Sequence, residues 1–193
     1  MQKIITSHLT LREIKAKDVF SYSELFADKE TMNLFGGPAV TNDLEIANVI
    51  QTKRKEFENC SSIFWTITET EDREFIGFIR IMNYNSYYFE ASFEAMGELR
   101  NNPDFLEYID KENGWELDYA LLKGFRNKGL MTEAIFGVQN YCRENAINIL
   151  YAKVNSLENK ATIAVLIKNG FSEHLPQANK IGGLGMIYTW KNK

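Results

Sequence analysis

Apolar residues in this chain alternate with polar ones in some stretches and recur every three or four positions in others, and the change of period marks out its elements. In SHLTLREI, residues 7–14, Leu9 and Leu11 alternate with polar neighbours and predict a first strand. Asp18 stands where a helix cap belongs, ahead of a helix to about Ala27. Asn42 and Asp43 offer a second cap before Ile46, Val49, Ile50 and Phe57 at roughly helical spacing. Residues 62–69 and 74–82, SIFWTITE and EFIGFIRIM, place β-branched and aromatic residues around a polar turn, the pattern of an antiparallel hairpin.

In GWELDYALL, residues 114–122, Trp115, Leu117, Tyr119 and Leu121 fall on one face of a strand, with Glu116, Asp118 and Ala120 on the other. After a glycine-containing loop, Ile135, Val138 and Cys142, flanked by Ala134 and Tyr141, form a helical stripe to about Asn145. Residues 148–155 read as a strand, 158–169 as a short helix stopped by Gly170, and 183–192 as a closing strand. Segment 83–113 has no single period: Phe89, Phe93 and Met96 suggest one helix, and Asn102-Pro103 the start of another.

No repeat, low-complexity tract or Pro/Ser/Gly-rich linker interrupts this order, so the 193 residues predict a single domain carrying 83–113 as an acidic, aromatic-rich insertion. The net charge of −4 argues against bulk nucleic-acid binding, which needs a basic face, so any anion site has to be local. His8, His174, Cys60 and Cys142 are too few and too scattered for a soft-metal site, and both cysteines read as reduced thiols of a cytoplasmic protein. The N-terminus lacks a cationic segment followed by an apolar run, and no stretch of about 18 apolar residues occurs, so neither secretion nor membrane insertion is expected.

The chemistry concentrates in GFRNKGLMTEAI, residues 124–135. A strand, a glycine loop and a helix N-terminus make an anion cradle, because the first helical N–H groups lack partners and the helix dipole favours negative charge. Gly124 and Gly129 satisfy the GxxxxG of a Walker A loop, but Leu130 and Met131 follow where that loop needs Lys and then Ser or Thr, which disfavours a nucleotide with Mg²⁺. The GxGxxG fingerprint fails on glycine spacing, and the preceding strand follows a hairpin instead of opening a βαβ unit. Two readings stand: a diphosphate held by backbone amides without a metal, or an ordinary turn with incidental cations.

Arg126-Asn127-Lys128-Gly129-Leu130-Met131 after WELDYALL, the following Glu133-Ala134, and NSLENKATIAVLIKNGF at 155–171 together resemble the GNAT superfamily of acetyl-CoA-dependent N-acetyltransferases. SHLTLREIKAKD is similar to the opening of its RimJ/RimL type, and the resemblance runs in order over nearly the whole chain except 83–113. It implies an α+β, GNAT-like acyl-CoA N-acyltransferase fold, with a central mixed, mostly antiparallel sheet flanked by helices. The chain departs from the usual Arg/Gln-x-x-Gly-x-Gly/Ala loop in placing Met131 at the final small position, which adds bulk beside the expected diphosphate.

On this resemblance acetyl-CoA is the cosubstrate and no metal is used. Its pantetheine arm would add to the backbone of Tyr119, Ala120 and Leu121 like a short strand. Its diphosphate would rest on the amides of Asn127, Lys128, Gly129, Leu130, Met131 and Thr132, with Arg126 or Lys128 near the phosphates or else simply solvated. Transfer to an amine requires a base, a donor to the carbonyl oxygen and a proton for the leaving thiolate. The resemblance places Glu116 beside the acyl group as base, with an ion-paired strand residue as its alternative. Asn159 matches the asparagine of an Asn-x-x-Ser pattern that contacts cofactor or acceptor, and Thr162 takes the serine position, from which a hydroxyl can protonate the thiolate. A helix cap at Asn159 and back-bonding at Thr162 are the alternatives. Where many relatives carry an acidic tyrosine a turn later, this chain has Val165, Leu166 and Ile167.

Segment 83–113 holds seven acids against two bases, a charge of −5 that exceeds the −4 of the whole chain and would draw in a cationic amine. Tyr87, Tyr88, Glu90 and Glu94 are therefore candidate substrate contacts, with solvated charge and core aromatics as the plainer reading. The expected activity is direct transfer of acetyl, in a ternary complex, to a primary amine of a protein N-terminus or small molecule. A noncatalytic acyl-CoA-binding sensor or interaction module on the same fold is the alternative. A homodimer is the family-level expectation.

Overall fold

The computed structural model describes residues 2–35, 38–42, 44–48, 50–51, 62–70, 74–83, 114–178 and 184–192. Eight strands form one sheet: β1 Ile4–Ile5, β2 Leu9–Arg12, β3 Ser62–Glu69, β4 Phe75–Asn83, β5 Gly114–Leu121, β6 Ile149–Val154, β7 Ser172–Ala178 and β8 Leu184–Lys191. Their order is β1-β2-β3-β4-β5-β6-β8-β7, antiparallel throughout except for the parallel pair β5–β6. The helices are α1 Val19–Ala27, α2 Lys29–Phe35, α3 Leu130–Glu144 and α4 Lys160–Lys168, with a further helical stretch at 44–48. This is the mixed, mostly antiparallel α+β sheet that the resemblance implies.

The alternation in β5 decides how the molecule is layered. Leu117 and Leu121 enter a core built with Met131, Ala134, Ile135, Val138 and Cys142 of α3 and Leu166 of α4, with Trp115 and Tyr119 packed against it. Ala120 faces the opposite way, into a second core with Phe64, Phe75 and Phe78 of the hairpin, Tyr22 and Leu25 of α1, and Ile46. The sheet is thus covered on both faces, and the polar side of β5 is itself buried. Burial also pushes the Cys142 thiol up to about 12, so it stays protonated.

The β3–β4 hairpin is in place, with a register shift between Ile67 and Thr68 opposite Gly77. A Cβ on Gly77 would lie 2.1 Å from the Ala120 carbonyl oxygen, so glycine lets β4 approach β5 at that point. At the end of α4, Phe171 N–H donates to Leu166 O and Gly170 N–H to Ile167 O, at 3.1 and 2.9 Å, with Gly170 in the left-handed region at φ 76°. This is the Schellman ending that Gly170 signals in the sequence.

Two local expectations change. Asp18 stands at the start of α1 but its carboxylate does not cap that helix; it accepts from both Arg12 guanidinium nitrogens at 2.7 and 2.9 Å and from Lys15 N–H at 2.7 Å. A nearby guanidinium is the stronger claim on a buried carboxylate. Strands β1 and β7 are additional; β7, SEHLPQA, is an edge strand that tolerates Pro176. Asn42 does cap, its Oδ1 accepting from Leu44 N–H at 2.9 Å. Asp43, Val49, Phe57, Cys60 and the readings made on 84–113, including Tyr87, Tyr88, Glu90 and Glu94, lie outside the described residues.

Candidate active site

The site begins where two parallel strands stop pairing. β5 and β6 match only at Gly114 with Ile149, Trp115 with Leu150 and Glu116 with Tyr151, although β5 continues to Leu121 and β6 to Val154. β4 remains paired along the other edge of β5 through Leu121. Past Glu116, the main-chain groups of β5 that point toward β6 therefore line a slot with no strand opposite them, and such groups demand partners. The far end of the slot is marked by Arg126, whose Nε donates to Leu121 O at 3.2 Å.

The chain leaves β5 through a 3-10 turn, Lys123–Phe125, and enters α3 by two left-handed residues, Asn127 at φ 62° and Gly129 at φ 78°. Gly129 is the α3 N-cap and brings no side chain, and the first helical bond runs from Glu133 N–H to Gly129 O at 3.1 Å. The amides from Asn127 to Thr132 donate no hydrogen bond to the described residues. That is a row of donors at the positive end of a 15-residue helix. Met131 is 5% exposed and packs into the core below, so its bulk goes inward and leaves the loop clear.

The loop cations are not equivalent. Arg126 pairs with Asp28 at 3.3 Å and Glu30 at 3.5 Å and donates to Thr31 Oγ1, while Lys123 reaches Glu30 at 3.1 Å. Thr31, through its hydroxyl and amide, is the main cause that holds the Asp28 carboxyl below its usual value; burial opposes this, and Arg126 adds to it. Arg126 is thereby turned toward the α1–α2 corner, whereas Lys128 stays over the loop, its Nζ 5.2 Å from the centre of the Phe125 ring.

On the face of β5 shared with Ala120, Glu116 is 8% exposed, and its Oε2 accepts from Lys153 Nζ of β6 at 3.0 Å. Asp118 pairs with Arg80, its register partner on β4. Glu116 is therefore the ion-paired strand residue that the sequence allowed as one reading, and it is also the last paired position before the slot opens. Tyr151 lies two residues from Lys153 on the same face of β6, its ring 5.5 Å from that of His174. Lys153 and Arg80 escaped the sequence reading, although a lone lysine in ILYAKV, or an arginine in FIGFIRIM, is the signal to look for in a buried strand.

Tyr119 lies on the opposite face, packed against the α3–α4 core with Thr162 of α4 as its neighbour. Asn159 caps α4, its Oδ1 accepting from Thr162 N–H at 3.2 Å, so the capping alternative holds for its side chain. Thr162 is in the first turn, and its hydroxyl makes no back-bond among the described residues. The Tyr119 hydroxyl is buried without a hydrogen bond of good geometry. Burial raises its pKa well above the ordinary tyrosine value, and contact with the Thr162 hydroxyl acts in the other direction. Among the described residues no group of His, Cys, Asp and Glu is arranged to hold a metal, and no helix is long and apolar enough to cross a membrane.

Comparison with known proteins gives the class. The model of the acetyltransferase (GNAT) domain matches residues 8–172, and the chain belongs to that family, placing it among acetyl-CoA-dependent N-acetyltransferases. No curated protein sequence matches it. Among solved structures it is similar to RimL, the ribosomal L7/L12 α-N-protein acetyltransferase, in complex with coenzyme A, at 14% identity and a TM-score of 0.74 over 98% of each chain. It is similar to the microcin C7 self-immunity acetyltransferase MccE, in complex with acetyl-CoA and AMP, at 17% identity and a TM-score of 0.73, over 97% of this chain and 94% of that one. The ribosomal-protein-S5-alanine acetyltransferase of Vibrio fischeri shares 12% identity at a TM-score of 0.73, over 100% of this chain and 98% of that one.

Proposed function

We propose that the protein transfers the acetyl group of acetyl-CoA to a primary amine, on a protein N-terminus or a small molecule, by direct attack in a ternary complex. The observation that carries this is the slot past Glu116, which runs along β5 into the free amides of 127–132. Pantetheine would hydrogen-bond the backbone of Tyr119, Ala120 and Leu121, and the diphosphate would be held by the amides from Asn127 to Thr132, with Lys128 the loop cation at hand. Asn159 shapes the α4 N-terminus and so sets where the Thr162 hydroxyl stands relative to the leaving sulfur.

Glu116 takes the proton of the attacking amine. Lys153 occupies its Oε2, and Oε1 accepts no hydrogen bond from the described residues, so one oxygen can face the acceptor. A charged Lys153 next to the carboxylate repels an ammonium, which favours arrival of the amine in its neutral, nucleophilic form. The same ion pair also favours a second reading, a noncatalytic acyl-CoA-binding module in which Glu116 is structural. Calorimetry with acetyl-CoA and CoA, followed by thiol release with a panel of N-terminal peptides and small amines, separates them. Turnover with any acceptor supports the enzyme; binding without thiol release across the panel supports the module; absence of CoA binding overturns both.

A further inference from the structure

The Tyr119 hydroxyl is one of two buried side-chain oxygens without a partner among the described residues, the other being Thr189 Oγ1. A phenylalanine would fill the same space against the α3–α4 core without burying a polar atom. The tyrosine is useful only if its hydroxyl finds a partner during function, and the Thr162 hydroxyl, which makes no back-bond within α4 among the described residues, is the neighbour whose contact acts on it.

We propose that Tyr119 is a positioning residue for Thr162: its hydroxyl donates a hydrogen bond to Thr162 Oγ1 and so turns the Thr162 proton toward the sulfur that leaves acetyl-CoA. This rests on the acetyltransferase reading of the same slot. As the amine nitrogen bonds to the acetyl carbon, the C–S bond breaks and sulfur departs with the electron pair. The proton lost by nitrogen goes to the base, and one from solvent later neutralises the thiolate. The two hydroxyls keep their protons and act as a polarised chain, each bond strengthening the next. Burial keeps Tyr119 neutral, so it remains a donor wherever the enzyme works.

The test needs no acceptor. CoA is bound to the protein and its thiol titrated by thiolate absorbance, against the same protein with desulfo-CoA as blank. The thiol of bound CoA is expected to ionise at lower pH than that of free CoA. Tyr119→Phe should raise its midpoint by about 0.5–1 pH unit, roughly three- to tenfold less thiolate at a fixed pH, the size of one hydrogen bond. Thr162→Val should give at least that shift, Thr162→Ser should restore it, and Tyr119→Phe added to Thr162→Val should change nothing further. An unmoved midpoint in Tyr119→Phe, or a shift that adds fully to that of Thr162→Val, overturns the proposal while leaving the acetyltransferase reading intact. Failure of wild-type protein to bind CoA overturns that reading and this one with it.

Discussion

The loop after β5 offers main-chain groups, while the Glu116 face of the same strand offers side chains already paired with one another. In the loop, six consecutive amides from Asn127 to Thr132 donate to none of the described residues, and Gly129 contributes no side chain at all. On the strand face, Glu116 is tied to Lys153 and Asp118 to Arg80, all largely buried. A cradle of amides tolerates varied sequence, since every residue but proline supplies an N–H. A face of buried ion pairs does not, because removing one partner strands the other charge. In the proposed roles, cofactor recognition by the loop and acceptor chemistry on the Glu116 face should therefore respond differently to substitution, which can be measured.

The largest effects are expected on the charged face. Glu116→Gln should lower kcat/KM about 10²–10⁴-fold, the range for loss of a general base, as read by thiol release. Lys153→Met should destabilise the fold by about 3–5 kcal/mol in urea unfolding, by leaving the Glu116 carboxylate buried without its ammonium. The double variant Glu116→Gln/Lys153→Met should recover much of that stability without recovering turnover. Unchanged activity in Glu116→Gln would return that residue to a purely structural role.

Smaller effects are expected in the loop. Gly129→Ala forces an L-residue into the left-handed region and should cost about 1–2 kcal/mol of stability. Nothing lies within 4 Å of the added Cβ, so the loss is conformational and Gly129→Asn should recover part of it. Arg126→Gln should cost at most about 1 kcal/mol, since its pairs with Asp28 and Glu30 are partly exposed, and should change the Kd for CoA less than about threefold. A tenfold or greater loss of CoA affinity in Arg126→Gln would mean that this guanidinium leaves the α1–α2 corner for the phosphates, and the division between the two regions would fail.

The same division explains what could be read without coordinates. Alternation placed β5 and helical spacing placed α3, whereas β3 and β4, buried on both faces, showed instead as β-branched and aromatic runs around a polar turn. β1 has two residues, too few to show a period, and β7 contains Pro176 and few apolar residues, tolerated only because it is an edge. In the loop, amide donors do not depend on side-chain type, so spacing and glycine position left a cradle and an ordinary turn both open, and only the resemblance favoured the cradle. On the charged face, the partner of Glu116 lies 37 positions away in sequence, and only the parallel pairing of β5 with β6 brings Lys153 to it. The hydroxyl of Tyr119 was hidden for a similar reason: alternation shows that its ring faces the core, and not that Thr162 comes to meet it.

The smallest effect tests whether the cradle is shielded from its own acid. Glu133 lies in the first turn of α3, where a carboxylate facing the amides would repel a diphosphate. It faces β1 and β2 instead, accepting from Thr6 Oγ1 at 2.6 Å, His8 N–H at 2.8 Å and His8 Nδ1 at 2.9 Å. Burial acts to raise its pKa, but the bonds from Thr6 and His8 together outweigh burial and lower it. A folded pKa below the unfolded one stabilises the protein above the unfolded value and ceases to do so as pH falls through the folded one. Wild type should therefore be more stable than Glu133→Gln at neutral pH, by a few degrees of Tm at most, with the gap closing as the pH falls below the ordinary glutamate range. The Kd for CoA at neutral pH should be the same in both, because the carboxylate is spent on the N-terminal strands. Tighter CoA binding by Glu133→Gln would show that the acid reaches the diphosphate after all, and that the loop, like the face of β5, is governed by its side chains.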